Sequence, residues 1–234
     1  MEMRLNKYIA ESGFASRRKA EEYIEQGRVL INGKVVTNLA TQVNPFSDEV
    51  YVDDVKLKIK EKLYFLLNKP KGFITSTLDE KNRKTVVDLI NTKEKIFPVG
   101  RLDYNTTGVL LLTNDGELAN KITHPKNNFK RVYVAKIDKE LSPLDKNKLL
   151  TGVYFDKRKG VFTELSYVKE RNYKIVRVSV VEGRNHFVKK MFSSLGYRVL
   201  ELDRENFGGI TVKNMRVGEY KILSFKEIEK LIQK

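Results

Sequence analysis

The sequence predicts an α+β protein built from two parts, and three observations support this prediction. Residues 1–60 contain two segments with apolar residues at helical spacing, followed by a strong β-hairpin signal. Unbroken apolar runs at residues 64–67 and 109–112 are typical of strands buried on both faces. Several more strands are predicted between residues 153 and 181 and precede a short helix. Helices and strands are therefore mixed in the larger part and segregated in the smaller one.

The first part is predicted to be a helix–helix–hairpin unit. The apolar positions that indicate the two helices are Leu5, Tyr8 and Ile9, then Ala20, Tyr23 and Ile24. Gly13 separates the two helices, and Ser16 is a suitable N-cap for the second. Asn32-Gly33 between two apolar runs is typical of a type I′ turn.

The second helix begins with Arg17, Arg18 and Lys19. Cations in a first turn oppose the helix dipole, so they do not serve to stabilise the helix. Phosphate binding would explain them, because a helix N-terminus also favours anions. An ordinary solvated charged face is the alternative explanation.

Residues 56–62 form a polar, lysine-rich connector, which predicts domains at residues 1–60 and 61–234. In the second domain the first buried strand is followed by a polar loop at residues 77–84 and a short helix at residues 86–90. Later elements are a capped helix starting near Asn114, a strand at residues 130–135, a helix within residues 182–192 and a final helix after Ser224.

A polar segment at residues 100–108, Gly-Arg-Leu-Asp-Tyr-Asn-Thr-Thr-Gly, precedes the buried strand at residues 109–112. Asp103 is its one carboxylate, and Arg101 lies two residues before it. The two glycines permit tight turns and close approach of a ligand to the backbone. From these residues alone, a functional loop on a rigid strand and a solvated turn are both possible.

The composition of the chain favours some classes of function and excludes others. The 234-residue chain carries a formal net charge of +15, and residues 121–234 hold 26 Lys/Arg against 13 Asp/Glu. A chain this basic is expected to meet nucleic acid, although a lysine-rich proteome would give the same excess. The absence of cysteine excludes disulfides and fits a reducing cytoplasm. We expect no metal site, no nucleotide cofactor and no membrane span, because the chain lacks the corresponding patterns.

Four motifs resemble the RsuA/RluB family of ribosomal RNA pseudouridine synthases. Residues 100–108, followed by Leu-Leu-Leu-Thr-Asn-Asp-Gly at 110–116, are similar to the catalytic segment of that family. Residues 67–72 (Leu-Asn-Lys-Pro-Lys-Gly) and 182–191 (Glu-Gly-Arg-Asn-His-Phe-Val-Lys-Lys-Met) resemble its first and third motifs. Residues 16–21 and 27–34 resemble the S4 RNA-binding domain that precedes the synthase domain in this family.

The resemblance implies an S4 (αL-like) domain ahead of a catalytic domain with a mixed, mainly antiparallel sheet, the pseudouridine synthase fold. It implies that Asp103 is catalytic, that Lys189 is the cation beside it and that Tyr133 lines the uridine pocket, although Tyr133 could also be a cross-strand packing residue. Arg101 is a further supporting residue, expected to hold a phosphate or the extruded nucleotide. The S4 resemblance places Arg4, Lys7, Arg17, Arg18, Asn32 and Lys34 against RNA. Further expected RNA contacts are Lys69, Lys71, Arg184, His186 and Lys190. His186 and Phe187 depart from the Arg and Gln that are common at these family positions.

The implied function is site-specific isomerisation of uridine to pseudouridine in ribosomal RNA, by a monomer without cofactor. The first motif and residues 204–209 favour the large-subunit RNA over the small-subunit RNA. A non-catalytic S4-type RNA-binding or ribosome-assembly factor is the alternative from another class. Such a factor would have no need of Asp103, so the motifs beyond residue 100 argue for the enzyme.

Overall fold

The structure is a computed structural model that describes residues 2–232. The chain divides into two compact units. The N-terminal unit contains residues 2–63 together with 92–95 and 114–116, and the sheet unit contains residues 64–91, 96–113 and 117–232. The predicted division into domains at residues 1–60 and 61–234 stays a prediction.

The N-terminal unit has the helix–helix–hairpin order that the sequence predicts. Its elements are β1 (Met3–Arg4), α1 (Leu5–Glu11), α2 (Arg17–Glu25), β2 (Val29–Ile31), β3 (Lys34–Val36), β4 (Gln42–Val43), β5 (Val50–Val52) and β6 (Val55–Lys56). Ser16 caps α2, since its side chain accepts a hydrogen bond from the Lys19 amide. Asn32 and Gly33 both have positive φ, which confirms the type I′ turn between β2 and β3.

The sheet unit contains the remaining elements in the order strand, strand, strand, helix, and then mixed strands and helices. They are β7 (Tyr64–Lys69), β8 (Phe97–Pro98), β9 (Thr107–Thr113), α3 (Gly116–Thr123), β10 (Arg131–Ile137), α4 (Pro143–Thr151), β11 (Val153–Phe155), β12 (Arg158–Gly160), β13 (Glu164–Lys169), β14 (Asn172–Val180), α5 (Phe187–Ser193), β15 (Val199–Phe207), β16 (Ile210–Thr211), β17 (Tyr220–Ile222) and α6 (Phe225–Ile232), with 3₁₀ turns at Val87–Leu89 and Pro125–Asn127.

One sheet of nine described strands organises this unit, in the order β13-β14-β10-β15-β9-β7-β17, with β16 on β15 and β8 on β9. All of its pairings are antiparallel except the parallel pair β15–β9. The sheet is therefore mixed and mainly antiparallel, as the family resemblance implied. The parallel pair lies at the centre of the sheet, where β9 begins directly after the Asp103 segment.

The central strands are buried because their apolar runs face packed layers on both sides. Every residue of β7 is buried, and β9 is buried from Gly108 onward. One face of β9, with Val109 and Leu111, belongs to a core cluster that also contains Leu118 and Ile122 of α3. These rigid strands fix the positions at which the flanking loops begin and end.

Two predicted helices differ in the structure. The segment at residues 86–90 is a single 3₁₀ turn, Val87–Leu89, and not an α-helix. The helix predicted within residues 182–192 begins only at Phe187, because His186 adopts the left-handed conformation with φ 56°. Residues 182–185 are therefore loop, which places them beside the site described next.

Candidate active site

The segment that carries Asp103 is a loop between β8 and β9, and Lys69 at the end of β7 holds it. The Lys69 ammonium group donates to the carbonyl oxygens of Pro70 (3.0 Å), Asp103 (3.2 Å), Tyr104 (3.3 Å) and Thr106 (2.9 Å). Lys69 is 0% exposed. The prediction that Lys69 contacts RNA is therefore wrong, because its charge points inward and binds the loop backbone.

A second support for the loop comes from Thr75. Its hydroxyl group donates to the Leu102 carbonyl oxygen (2.6 Å) and accepts from the Leu102 amide (3.2 Å). The Gly72 amide also donates to the Tyr104 carbonyl oxygen (3.0 Å). The backbone on both sides of Asp103 is thus fixed by buried groups, which is what a catalytic side chain needs in order to keep one position.

Burial, opposed by Asp103 and assisted by the nearby cations Arg204 and Lys189, lowers the pKa of the Lys69 ammonium group from 10.5 to about 8. A lysine whose pKa is lower in the folded state than in the unfolded state destabilises the protein at pH values below its folded-state pKa. This cost disappears as pH rises from about 8 to 10.5, because the unfolded state then binds more protons than the folded state.

We expect the difference in unfolding free energy between the native protein and Lys69→Met to depend on pH. The native protein should gain up to about 3 kcal/mol relative to the variant between pH 8 and 10.5. Urea unfolding of both proteins at pH 7, 8, 9 and 10 measures this difference. Lys226→Met, at an exposed position of α6, serves as control. A difference that stays constant over this range contradicts the pKa assignment.

Asp103 lies between two basic side chains from the α5 segment. The Lys189 Nζ atom is 2.5 Å from Asp103 Oδ2, and the His186 Nε2 atom is 3.4 Å from Asp103 Oδ1. The Asp103 side chain is 24% exposed, Lys189 32% and His186 50%. The left-handed backbone of His186 turns its ring toward the carboxylate while α5 starts one residue later. Asp103 is thus held next to a cation and still open to a ligand.

Tyr133 lies on β10 and lines the same cavity as Asp103. Along β10 the side chains alternate, so Arg131 and Tyr133 are both buried on one face. In the pairing of β10 with β15, Tyr133 lies opposite Arg204. This places an aromatic ring and two arginines in one wall of the cavity.

Arg131 and Arg204 are buried, with 9% and 2% exposure. The Arg204 Nε atom donates to the Val109 carbonyl oxygen (2.7 Å), and Arg131 donates to the Phe129 (3.2 Å) and Val181 (3.0 Å) carbonyl oxygens. Burial lowers the pKa of both guanidinium groups, and Tyr133 opposes the shift in each case. Neither arginine has a carboxylate partner among residues 2–232.

The cavity has a volume of about 280 Å³. Its lining includes Asp103, Glu182 and six basic side chains, namely Arg101, Arg131, Arg184, His186, Lys189 and Arg204. Arg184 is held in place by Glu182 (2.5 Å) and the Lys159 carbonyl oxygen (2.9 Å), and its guanidinium group lies over the Phe155 ring. The structure thus gathers Asp103, an aromatic ring and a second carboxylate, which is paired with Arg184, in a cleft with an excess of basic side chains.

Other predicted residues lie around this cavity or elsewhere. Arg101 and Lys71 are exposed in the sheet unit. Lys190 forms an ion pair with Asp156, so its charge is already compensated. Phe187, one of the two departures from the family pattern, is buried and packs edge-on against Phe155 and Phe162. It therefore belongs to the support of α5, whereas His186 faces the carboxylate.

In the N-terminal unit, Arg4, Arg17, Arg18 and Lys34 are exposed. Lys7 is half-buried and lies 3.7 Å from Glu11. The Asn32 side chain donates to Asp48 (3.0 Å) and accepts from the Glu49 amide (2.9 Å). Asn32 thus stabilises the hairpin with the side-chain groups that were predicted to contact RNA.

Sequence reasoning missed Thr75, Arg131 and Arg204 as parts of the site. A signal for two of them was present, because each arginine falls at an inward position of a strand whose other inward residues are apolar. An inward arginine needs a specific partner, so its position alone marks it as unusual. Thr75 lies between two loops and gives no comparable signal.

Among residues 2–232, no group of three or more histidine, aspartate and glutamate side chains is arranged as metal ligands would be. Over the same residues, no helix has the length and apolar character required to cross a bilayer.

Comparison with known proteins identifies the family to which the chain belongs. A family model described as RNA pseudouridylate synthase matches residues 63–194, and a model of the S4 domain matches residues 3–59. A solved structure described as a pseudouridylate synthase is 33% identical, covers 98% of this chain and 99% of its own, and superposes with a TM-score of 0.69. The chain belongs to the RNA pseudouridylate synthase family, with an S4 domain before the synthase domain.

Two named relatives indicate which type of pseudouridine synthase the chain resembles. Ribosomal large subunit pseudouridine synthase B of Bacillus subtilis (strain 168) is 42% identical, over 97% of this chain and 95% of its own length. The dual-specificity RNA pseudouridine synthase RluF of Escherichia coli (strain K12) is 35% identical, over 97% of this chain and 77% of its own length. The protein is an RNA pseudouridine synthase of the RsuA/RluB type, as the motifs indicated.

Proposed function

We propose that this enzyme isomerises a specific uridine in ribosomal RNA, with Asp103 as the catalytic residue. The contact between Asp103 and Lys189 carries this proposal, because it holds a carboxylate against a cation in a cleft that also presents Tyr133. The Lys189 ammonium group lies against the carboxylate and compensates its negative charge. The ionised form is required whether the carboxylate attacks C1′ or removes the 2′ proton.

The reaction breaks the N1–C1′ bond of uridine and forms a C5–C1′ bond, so no electrons enter or leave. The C5 proton is lost and N1 gains a proton. The target nucleotide must leave the helical stack, which costs a few kcal/mol. Stacking of the uracil on Tyr133 would return about 1–3 kcal/mol. Arg101, exposed at the rim of the cleft, is suited to hold a phosphate of the extruded nucleotide.

We propose that RNA is bound by both units. Arg4, Arg17, Arg18 and Lys34 are the exposed candidates in the N-terminal unit. In the sheet unit Lys71 and His186 remain candidates, because Lys190 is paired with Asp156 and Arg184 with Glu182. In the N-terminal unit Lys7 is paired with Glu11. The net charge of +13 in residues 121–234 supports long-range attraction by the sheet unit.

The double variant Arg17→Ala, Arg18→Ala should bind RNA more weakly and with a smaller salt dependence. Each phosphate contact that is lost removes close to one unit from the slope of log K against log salt concentration. Binding titrations at several salt concentrations measure this slope. Lys56→Ala with Lys58→Ala removes the same charge elsewhere in the unit and serves as control. An unchanged slope in the Arg17/Arg18 variant would remove α2 from the RNA-binding surface.

The large-subunit ribosomal RNA is our proposed substrate. The name of the Bacillus relative, which matches almost the whole chain, supports this choice. Pseudouridine mapping in ribosomal RNA from cells that lack the protein provides the test. We expect one modification to be missing from the large-subunit RNA and restored by the native gene. Loss of a modification only from small-subunit RNA would instead assign the enzyme to that substrate.

A further inference from the structure

Arg131 and Arg204 are unusual because they are buried cations in one wall of the active-site cavity. Their hydrogen bonds go to backbone carbonyl oxygens, and the Arg204 Nη2 atom is buried without a partner among the described residues. A guanidinium group stays protonated in proteins, so both charges persist after burial. Two buried like charges without a carboxylate are costly to the folded state.

An aromatic ring next to both cations offsets part of this cost. Both guanidinium groups lie over the Phe207 ring, at 5.7 Å for Arg131 and 4.3 Å for Arg204. Tyr133 lies opposite Arg204 in the strand pairing and shares one face of β10 with Arg131. An apolar residue of similar size would fill either position at lower cost. The arrangement is therefore suited to a ligand that brings negative charge into the cavity.

We propose that Arg131 and Arg204 form a site for the departing uracil base, stabilising the negative charge that it acquires when the N1–C1′ bond breaks. This inference rests on the proposed function of Asp103. The bonding pair passes to the base and spreads over N1, O2 and O4. It returns from C5 to C1′ when the new bond forms, after which C5 loses its proton and N1 takes one up. Charge exists on the base only between these two events.

Such a site raises the rate because it binds the transition state more strongly than the neutral base. Donors that are fixed in a water-excluded cavity need no reorganisation when the charge develops, and removal of one such donor typically lowers kcat by about 10²–10³-fold. Tyr133 holds the plane of the base, while Asp103 and Lys189 act at the sugar. The cavity thus has one group of residues for each fragment of the broken nucleotide.

The test compares RNA that contains uridine with RNA that contains 5-fluorouridine at the target position. Fluorine withdraws electrons and makes the base a better leaving group, so it needs less help from the protein. Single-turnover cleavage of the N1–C1′ bond is followed by loss of the original nucleoside in nuclease digests. We expect Arg204→Lys and Arg131→Gln each to lower the uridine rate by about 10²-fold and the 5-fluorouridine rate by clearly less.

Arg177→Gln serves as the matched control, because Arg177 is a strand arginine that pairs with Glu205 and lies outside the cavity lining. Equal losses on both substrates, or no loss, would overturn the proposal. Weaker RNA binding with a smaller salt slope would show that the pair holds a phosphate and would also overturn it. If Arg204→Lys fails to fold, Arg131→Gln alone decides. An active Asp103→Ala enzyme would instead refute the proposed function itself.

Discussion

Asp103→Ala is expected to lose pseudouridine formation by at least about 10²–10⁴-fold while its affinity for RNA stays near that of the native protein. The carboxylate is the one acidic group that lies against Lys189 in the cleft, within the described residues. The loop around it is held by backbone contacts from Lys69 and Thr75, none of which involves the Asp103 side chain. The substitution should therefore remove the chemistry and leave the fold intact.

The measurement is single-turnover pseudouridine formation on a ribosomal RNA fragment, together with the dissociation constant for the same RNA. Asp156→Ala is the control, because Asp156 is an exposed carboxylate that also pairs with a lysine of α5. We expect Asp156→Ala to keep native activity. If Asp103→Ala keeps measurable turnover at more than a tenth of the native rate, another group performs the chemistry.

The parts of the fold that were predictable are those in which local sequence and burial agree. The apolar runs of β7 and β9 admit few other structures, and Asn32-Gly33 fits the positive φ values that the hairpin turn requires. The Asp103 segment was located because it combines polar residues and glycines directly before such a run. In each case the information lies within about ten consecutive residues.

The parts that were not predictable depend on contacts between residues far apart in the chain. Lys69 follows a strand and precedes Pro70, a context that suits a surface lysine, and only the fold brings four carbonyl oxygens around it. Tyr133 and Arg204 become neighbours through the pairing of β10 with β15. The late start of α5 depends on the left-handed conformation of His186, which no local pattern indicated.

The parallel pairing of β9 with β15 also explains why residue 108 is glycine. Substitution of this glycine is the second change for which we expect a large effect. Gly108 has φ +100°, and a Cβ atom there would lie 2.3 Å from the Arg204 carbonyl oxygen and 2.8 Å from both the Arg204 nitrogen and carbonyl carbon. Backbone atoms cannot move aside as a flexible side chain can. Alanine at this position must therefore separate the parallel strands that carry Arg204 and follow Asp103.

We expect Gly108→Ala to destabilise the protein by at least about 3 kcal/mol, the sum of an unfavourable φ and a steric overlap with backbone. Thermal unfolding of the sheet unit should shift down by roughly 6–12 °C. Gly218→Ala separates the two causes, because Gly218 has φ +87° with no atom within 4 Å of the added Cβ. Gly218→Ala should show only the conformational cost, about 1–2 kcal/mol. Equal losses in the two variants would mean that the strands at residue 108 yield without penalty, and that their close approach does not position the catalytic loop.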